Sequence, residues 1–133
     1  MARILLIDDD DSVRSMLRKT LVHFGHTVIE ASNGKEGLEL LPGANADLLI
    51  TDIVMPEMEG LELLMEVRKR HPPLKIIAIS GGVRHGAAGD YLHIAMHLGA
   101  AKVLAKPFST EVLLAAVNEL VAGGEPAAQP PAA

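Results

Sequence analysis

The most constraining feature of this sequence is an apolar run, Ile4–Ile7, that leads directly into four aspartates, Asp8–Asp11. A strand this apolar is typical of a parallel sheet, in which helices cover both faces. The aspartates then lie at the carboxyl end of the strand, where open α/β sheets bind their ligands. Because like charges crowded at one strand end repel each other, they need either a cation or exposure to water.

Short apolar runs alternate with helical spacing along the rest of the chain, and three later runs also end in a polar side chain. These side chains are Asp52, Ser80 and Lys106. Five units of strand then helix, in strict alternation, predict an α/β fold with a doubly wound, five-stranded parallel sheet. Two strand orders are common in such sheets, and both collect a site where the order reverses.

Local signals predict where the helices begin and end. Asp11 or Ser12 is expected to cap the first helix, and Gly25 to end it in a left-handed conformation. Pro42-Gly43 is expected to stop the second helix, and Ser109 to cap the last one. Residues 1–122 are therefore predicted to form one domain, and the Pro/Ala-rich residues 123–133 a disordered tail.

Composition narrows the classes of function. The 133 residues carry a net charge of −5, which disfavours binding to nucleic-acid backbones. No stretch approaches the run of about 18 apolar residues expected of a membrane span. The sequence has no cysteine, which excludes disulfides and thiolate metal sites. A cytoplasmic protein with no nucleic-acid or membrane partner is expected.

The polar groups at the strand ends suit phosphoryl chemistry. Asp8, Asp9 and Asp52 offer only hard oxygen donors, which favour Mg²⁺ or Mn²⁺. Asp52 is the candidate nucleophile, Lys106 the cation for a phosphoryl group, and Ser80 a hydroxyl donor. Alternatively, the acidic run only caps the first helix, which accounts for its last two aspartates but leaves the first two unexplained.

Four pieces of sequence, in this order, resemble the receiver domain of two-component response regulators. They are Ile4–Asp9, the block TDIVMPEMEG at 51–60, Ser80-Gly81 and Lys106-Pro107-Phe108. Each piece alone has low specificity, whereas all four in order at the predicted strand ends are highly specific. The resemblance covers residues 3 to about 121 and implies the flavodoxin-like strand order 2-1-3-4-5.

The resemblance also implies residue roles. Asp52 would accept a phosphoryl group from a histidine kinase or a histidine phosphotransfer protein. Asp9 would bind Mg²⁺ directly, Asp8 mostly through water, and the backbone carbonyl of Val54 would be a further ligand. The Lys106-Pro107 bond would be cis. The protein would catalyse its own phosphorylation and dephosphorylation without being an enzyme for another substrate.

Two features depart from the family pattern, and both concern the conformational switch that would follow phosphorylation. An aromatic residue usually stands three positions before the lysine, and here that position is Val103. The segment after Ser80 is also longer than usual and rich in glycine. Tyr91, just beyond it, either substitutes as the switching ring or simply packs in the core. Ser80 is expected to transmit the switch to the 81–91 segment and to a protein-docking face.

Three classes of function remain open at this stage. The leading one is a stand-alone receiver in a phosphorelay, with a downstream target protein and a phosphorylation-dependent dimer left open. A magnesium-dependent phosphohydrolase of the haloacid dehalogenase type would want a second acid two positions after Asp52, where this sequence has Val54. A phosphate-independent binding module with a relic pocket would not need its four pocket residues, Asp9, Asp52, Ser80 and Lys106.

Overall fold

The computed structural model describes residues 2–53, 60–80, 95–106 and 108–122. Its strands are β1 (Arg3–Ile7), β2 (Thr27–Ala31), β3 (Leu48–Asp52), β4 (Lys75–Ser80) and β5 (Lys102–Ala105). Its helices are α1 (Asp11–His23), α2 (Gly34–Ala44), α3 (Gly60–Arg70) and α4 (Thr110–Ala122). Residues 95–97 are also helical. The predicted alternation of strands and helices is confirmed across these ranges.

The five strands form one parallel sheet with the order β2-β1-β3-β4-β5. The predicted order 2-1-3-4-5 is therefore confirmed. The order reverses between β1 and β3, which are direct neighbours, with Ile7 opposite Thr51. The switch point of the sheet thus lies between the ends of the two strands that carry Asp8 and Asp52.

Each face of the sheet is covered by its own hydrophobic cluster, because successive strand residues point to opposite faces. Leu5 and Ile7 of β1 belong to one cluster, which includes residues of α2 and α3. Ile4 and Leu6 belong to the other, which includes residues of α1 and α4. Burying each such side chain stabilises the fold by about 1.5–3 kcal/mol. This two-sided burial is the physical reason for the unbroken apolar runs in the sequence.

The first helix begins and ends close to the expected positions. Its N-cap is Asp10, whose side chain accepts hydrogen bonds from the amides of Ser12 and Val13, so the expectation of Asp11 or Ser12 was wrong by one or two residues. Gly25 follows the helix with φ of 97°, as predicted. At α4, Ser109 Oγ accepts a hydrogen bond from the amide of Val112, which confirms the predicted cap.

The second helix continues through the proline that was expected to stop it. Pro42 lies inside α2, which ends at Ala44 and is capped by Asn45 in the left-handed conformation. In the last turn a proline removes one helical hydrogen bond, and few remain beyond it to lose. Leu41 and Ala44, on either side of Pro42, are both buried. Burial of this face therefore outweighs the local cost of the proline.

Several predictions concern residues outside the described ranges. They are the roles of Val54 and Tyr91, the cis bond before Pro107, the glycine-rich segment from 81, and the tail 123–133. Asp52 and Ser80 are the last residues of strands β3 and β4. Among the helices that the structure describes, none is both long and apolar enough to cross a bilayer.

Candidate functional site

Asp8 follows β1 directly and is held in place through its backbone and its side chain. Its amide donates a hydrogen bond to the carbonyl of Ala31 at the end of β2, at 3.2 Å. Its Oδ1 accepts a hydrogen bond from the amide of Asp10 at 2.9 Å. The residue is only 1% exposed, whereas Asp9 beside it is exposed to solvent. One acid of the pair is therefore anchored in the fold and the other faces outward.

Asp52 ends β3, next to β1 in the sheet, and is 5% exposed. Its carboxylate and those of Asp8 and Asp9 each place an oxygen within 4.8 Å of the others. Residues that are far apart in the sequence are thus brought together at the switch point. Three carboxylate oxygens in one small volume attract a cation strongly, because their mutual repulsion is relieved when it binds.

Lys106 supplies a cation from the protein itself. Its amide donates to the carbonyl of Ser80 at 2.9 Å, which fixes the residue just past β5 beside the end of β4. From there its Nζ lies 3.3 Å from Oδ2 of Asp52 and 3.7 Å from Oδ2 of Asp8. The side chain is 26% exposed, so this ammonium is only partly screened by solvent. It bridges the two buried carboxylates.

Ser80 is the last residue of β4 and is fully buried. The strand register sets Asp52 opposite Ile79, so Ser80 lies one position further along on the neighbouring strand. Within the described ranges, its hydroxyl oxygen has no hydrogen-bond partner. A buried hydroxyl without a partner is costly, and an anion at the end of the sheet would satisfy it.

The electrostatics of Asp8 indicate that the site is suited to an added cation. Burial raises the pKa of Asp8, and the negative charges of Asp52 and Asp9 raise it further. The hydrogen bond from the Asp10 amide and the charge of Lys106 act in the opposite direction but do not cancel the rise. Oδ2 of Asp8 is buried and accepts no hydrogen bond within the described part of the chain. This donor set fits a small, hard divalent cation.

The structure brings Asp8, Asp9, Asp52 and Lys106 into one cluster. Ser80 ends β4, which lies between the strands that carry Asp52 and lead to Lys106. Val103 lies on β5, partly buried against the cluster on the α2–α3 face of the sheet. It is therefore at the expected place in the sheet, and whether it takes part in switching is still a prediction. Val54 and Tyr91, for which the sequence predicts roles at this site, lie outside the described residues.

Sequence reasoning missed Arg14, which touches the site from α1. Its Nη1 donates a hydrogen bond to the backbone carbonyl of Asp8 at 2.7 Å. The available signal was its spacing from Asp11, three positions earlier on the same helix, which suits a local ion pair. That spacing indicates an ordinary surface pair and gives no hint of the contact with the strand end.

Comparison with known proteins gives the family. The family model described as the response regulator receiver domain matches residues 4–118. This chain belongs to that family. Among solved structures, a response regulator receiver domain protein from Clostridium thermocellum superposes with a TM-score of 0.83. The two are 32% identical, and the match covers 92% of this chain and 95% of the other.

Longer proteins also contain a stretch similar to this receiver domain. The sensor kinase CckA of Brucella abortus (strain 2308) is 39% identical over 122 residues, which is 90% of this chain and 12% of the kinase. The response regulator MprA of Mycobacterium ulcerans (strain Agy99) is 36% identical over 121 residues, covering 90% of this chain and 50% of the regulator. The chain therefore spans half or less of these two relatives. Membership of the family fits phospho-acceptor signalling.

Proposed function

We propose that this receiver domain is a phospho-acceptor in two-component signalling, and that Asp52 takes the phosphoryl group. The donor is a histidine kinase or a histidine phosphotransfer protein. The observation that carries the proposal is the position of Lys106 Nζ, which contacts carboxylate oxygens of both Asp52 and Asp8. A nucleophile, a set of metal-binding acids and a phosphate-binding cation are the groups that such a transfer needs.

In the transfer, a carboxylate oxygen of Asp52 attacks the phosphorus of the donor. The phosphorus–nitrogen bond to histidine breaks as a phosphorus–oxygen bond to Asp52 forms, and the electron pair returns to the imidazole. Lys106 balances the negative charge on the phosphoryl oxygens, and the hydroxyl of Ser80 donates a hydrogen bond to one of them. Water later attacks the phosphorus and releases inorganic phosphate, which restores the carboxylate of Asp52.

Asp8, Asp9 and Asp52 would hold Mg²⁺, with Mn²⁺ as a substitute, and the backbone carbonyl of Val54 is a further proposed ligand. When bound, the metal neutralises charge that develops on the phosphoryl oxygens. The proposal is supported by the clustered oxygens of the three acids and by the buried Oδ2 of Asp8, which accepts no hydrogen bond from described residues. Magnesium retains several waters and needs only one or two carboxylates, so room remains for a phosphoryl oxygen.

The response to phosphorylation would begin at Ser80 and Lys106. A phosphoryl group adds charge and acceptor oxygens, which attract the hydroxyl and the ammonium. A downstream protein would recognise the changed surface next to β5. Val103 has neither a ring nor a hydrogen-bond donor, so the change has to proceed by repacking at this position. A cytoplasmic location belongs to the proposal, because the phosphoryl group comes ultimately from ATP through a histidine kinase, and ATP is available in the cytoplasm.

The proposal is tested by incubating the protein with MgCl₂ and acetyl phosphate and measuring its intact mass. We expect one phosphoryl group per chain, lost again on standing, and none on Asp52→Asn. The matched control is Asp47→Asn. Asp47 directly precedes β3, at the opposite end of the strand from Asp52, and this variant should label like the wild type. Equal labelling of Asp52→Asn would show that another residue is the acceptor.

The label, together with an assay of phosphate release from a phosphate ester, separates the rival functions. A magnesium-dependent phosphohydrolase would release phosphate over many turnovers from phosphate esters and keep no stoichiometric label. A binding module with a relic pocket would neither take up label nor release phosphate. A stoichiometric label on one residue that requires Mg²⁺ is the outcome that supports a phospho-acceptor.

A further inference from the structure

The guanidinium of Arg14 joins three separate parts of the chain. Its Nε donates a hydrogen bond to Oε1 of Glu30 on β2 at 3.1 Å. Its Nη1 donates to the carbonyl of Asp8 and its Nη2 to Oδ1 of Asp11, both at 2.7 Å. Each nitrogen of the planar group therefore has its own acceptor, in an arrangement that a lysine cannot reproduce.

Glu30 fixes this arginine from the neighbouring strand. One of its carboxylate oxygens accepts a hydrogen bond from Arg14, and the other forms an ion pair with Arg18 Nε at 3.0 Å. The side chain of Arg14 is only 15% exposed, so its hydrogen bonds are partly protected from competing water. By contrast, the side chain of Asp11 is 84% exposed and adds little to the arrangement.

The carbonyl that Arg14 holds lies in the peptide bond that joins Asp8 to Asp9. The orientation of this peptide determines where the chain leads after β1, and hence where the exposed carboxylate of Asp9 lies relative to Asp8 and Asp52. On the other side of Asp8, its amide is fixed by Ala31. Arg14 and the end of β2 thus hold the two peptide bonds that flank this residue.

We propose that Arg14 is a positioning residue for the divalent-cation site, acting through the carbonyl of Asp8 to set the spacing of the three carboxylates. This inference rests on the proposed function, because it assumes that the acids bind a metal ion. Partners of this outer kind commonly change metal affinity by about 10- to 100-fold when they are removed.

The positive charge of Arg14, taken alone, predicts the opposite effect of its removal on the affinity for a divalent cation. Removing a positive side chain beside an acidic cluster should tighten the binding of a divalent cation, since less positive charge repels it. Loss of positioning should weaken binding, since the carboxylates are no longer held at a common distance. The direction of the change in affinity therefore distinguishes the two effects.

The experiment is a titration of the purified chain with Mn²⁺, in which the EPR signal of free Mn²⁺ gives the dissociation constant. We expect Arg14→Ala to raise this constant by about tenfold. Arg14→Lys should also raise it, because one ammonium cannot serve all three acceptors. The matched control is Arg18→Ala, which removes a cation and a partner of Glu30 but no contact with Asp8; its constant should be unchanged or slightly lower.

A second measurement needs no metal. The amide of Asp10 donates to Oδ1 of Asp8, so its hydrogen exchange reports the order of this turn. Exchange at Asp10 should be about tenfold faster in Arg14→Ala than in the wild type or in Arg18→Ala, while amides in the middle of β3 stay protected. Should Arg14→Ala fail to fold, Arg14→Lys decides the question by both measurements.

The outcomes separate this inference from the proposed function. If the wild type binds no Mn²⁺, the proposed metal site is wrong, and amide exchange still decides whether Arg14 orders the turn. If the wild type binds Mn²⁺ and Arg14→Ala binds it as well or better, with unchanged exchange at Asp10, the positioning role is wrong and the proposed function stands.

Discussion

The ammonium of Lys106 lies 3.3 Å from a carboxylate oxygen of Asp52, although 54 positions separate the two residues in the chain. The contact exists because β3 and β5 lie on either side of β4 and end at the same edge of the sheet. It is also the contact that a phosphoryl group on Asp52 would alter first.

Removing the charge of Lys106 should destabilise the metal-free protein. In Lys106→Met the buried carboxylates of Asp8 and Asp52 lose the ammonium that contacts both of them, and we expect the free energy of unfolding at neutral pH to fall by about 1–2 kcal/mol. Urea unfolding in EDTA measures this. Lys102→Met is the control, because Lys102 pairs with Glu119, whose side chain is 64% exposed; it should change stability by at most about 0.5 kcal/mol. Equal losses in both variants would contradict the assignment.

Neutralising Asp8 should have the opposite effect on the metal-free protein. Burial raises the pKa of Asp8 above its ordinary value of 3.8, so the folded state binds this proton more tightly than the unfolded state does. The free energy of unfolding should therefore fall as the pH rises from that value through the raised pKa. We expect Asp8→Asn to lack this decrease and to be more stable than the wild type at neutral pH in EDTA.

The stability of Asp8→Asn in Mg²⁺ completes this test. Magnesium should stabilise the wild type against urea and should stabilise the variant much less, because a neutral amide is a poor ligand for it. If the stability of the wild type in EDTA instead rose with pH relative to that of Asp8→Asn, the charge of Asp8 would be favourable in the fold.

His26 should give stability the opposite dependence on pH, away from the site. The residue is 8% exposed, and its Nδ1 accepts a hydrogen bond from the amide of Ala2 at 3.1 Å. Burial, and then the charge of the chain's amino terminus, lower the pKa of His26 below 6.5. The unfolded state thus binds this proton more readily, and stability is lost as the pH falls through 6.5 toward the lowered pKa.

Urea unfolding between about pH 7.5 and pH 5.5 measures this contribution. We expect His26→Gln, which keeps an acceptor oxygen, to lose less stability over this range than the wild type. His23→Gln changes an exposed histidine of the same turn and serves as the control. If the two variants show the same slope as the wild type, protonation of His26 does not affect folding.

Two glycines of α2 should respond oppositely to alanine. A Cβ at Gly37 would press against the side chain of Ile7, coming 2.9 Å from its Cγ1, whereas a Cβ at Gly43 would meet nothing within 4 Å. We expect Gly37→Ala to destabilise the protein by about 1–3 kcal/mol through overpacking. Gly43→Ala should stabilise it by up to about 1 kcal/mol through helix propensity. Thermal unfolding checks both, and a stable Gly37→Ala would show that Ile7 can move aside.

The sequence was sufficient for the features that depend on pattern. The apolar runs predicted the five strands because both faces of the sheet are covered, and alternation with helical spacing predicted the parallel arrangement. Since parallel strands end at one edge, the gathering of Asp8, Asp52 and Lys106 followed from topology. Their chemical roles stay predictions that labelling has to test.

Features that depend on particular tertiary contacts were not predictable. Pro42 signals the end of a helix, yet burial of Leu41 and Ala44 carries α2 past it. Asp10 caps α1 because its own backbone is extended at that point. Arg14 resembles a surface residue in the sequence, and only the folded positions of Asp8 and Glu30 give it a role.

Because the charged and hydroxyl-bearing residues of the site come from the ends of four different strands, no segment of the chain carries the site by itself. A ligand that engages all of these residues is bound by the intact sheet and not by the unfolded chain. Its binding therefore adds to the stability of the fold, by about 1.4 kcal/mol for each tenfold excess over the dissociation constant. Binding of such a ligand and folding of the sheet are thus coupled equilibria, and a molecule with an unfolded sheet cannot bind the ligand or respond to it.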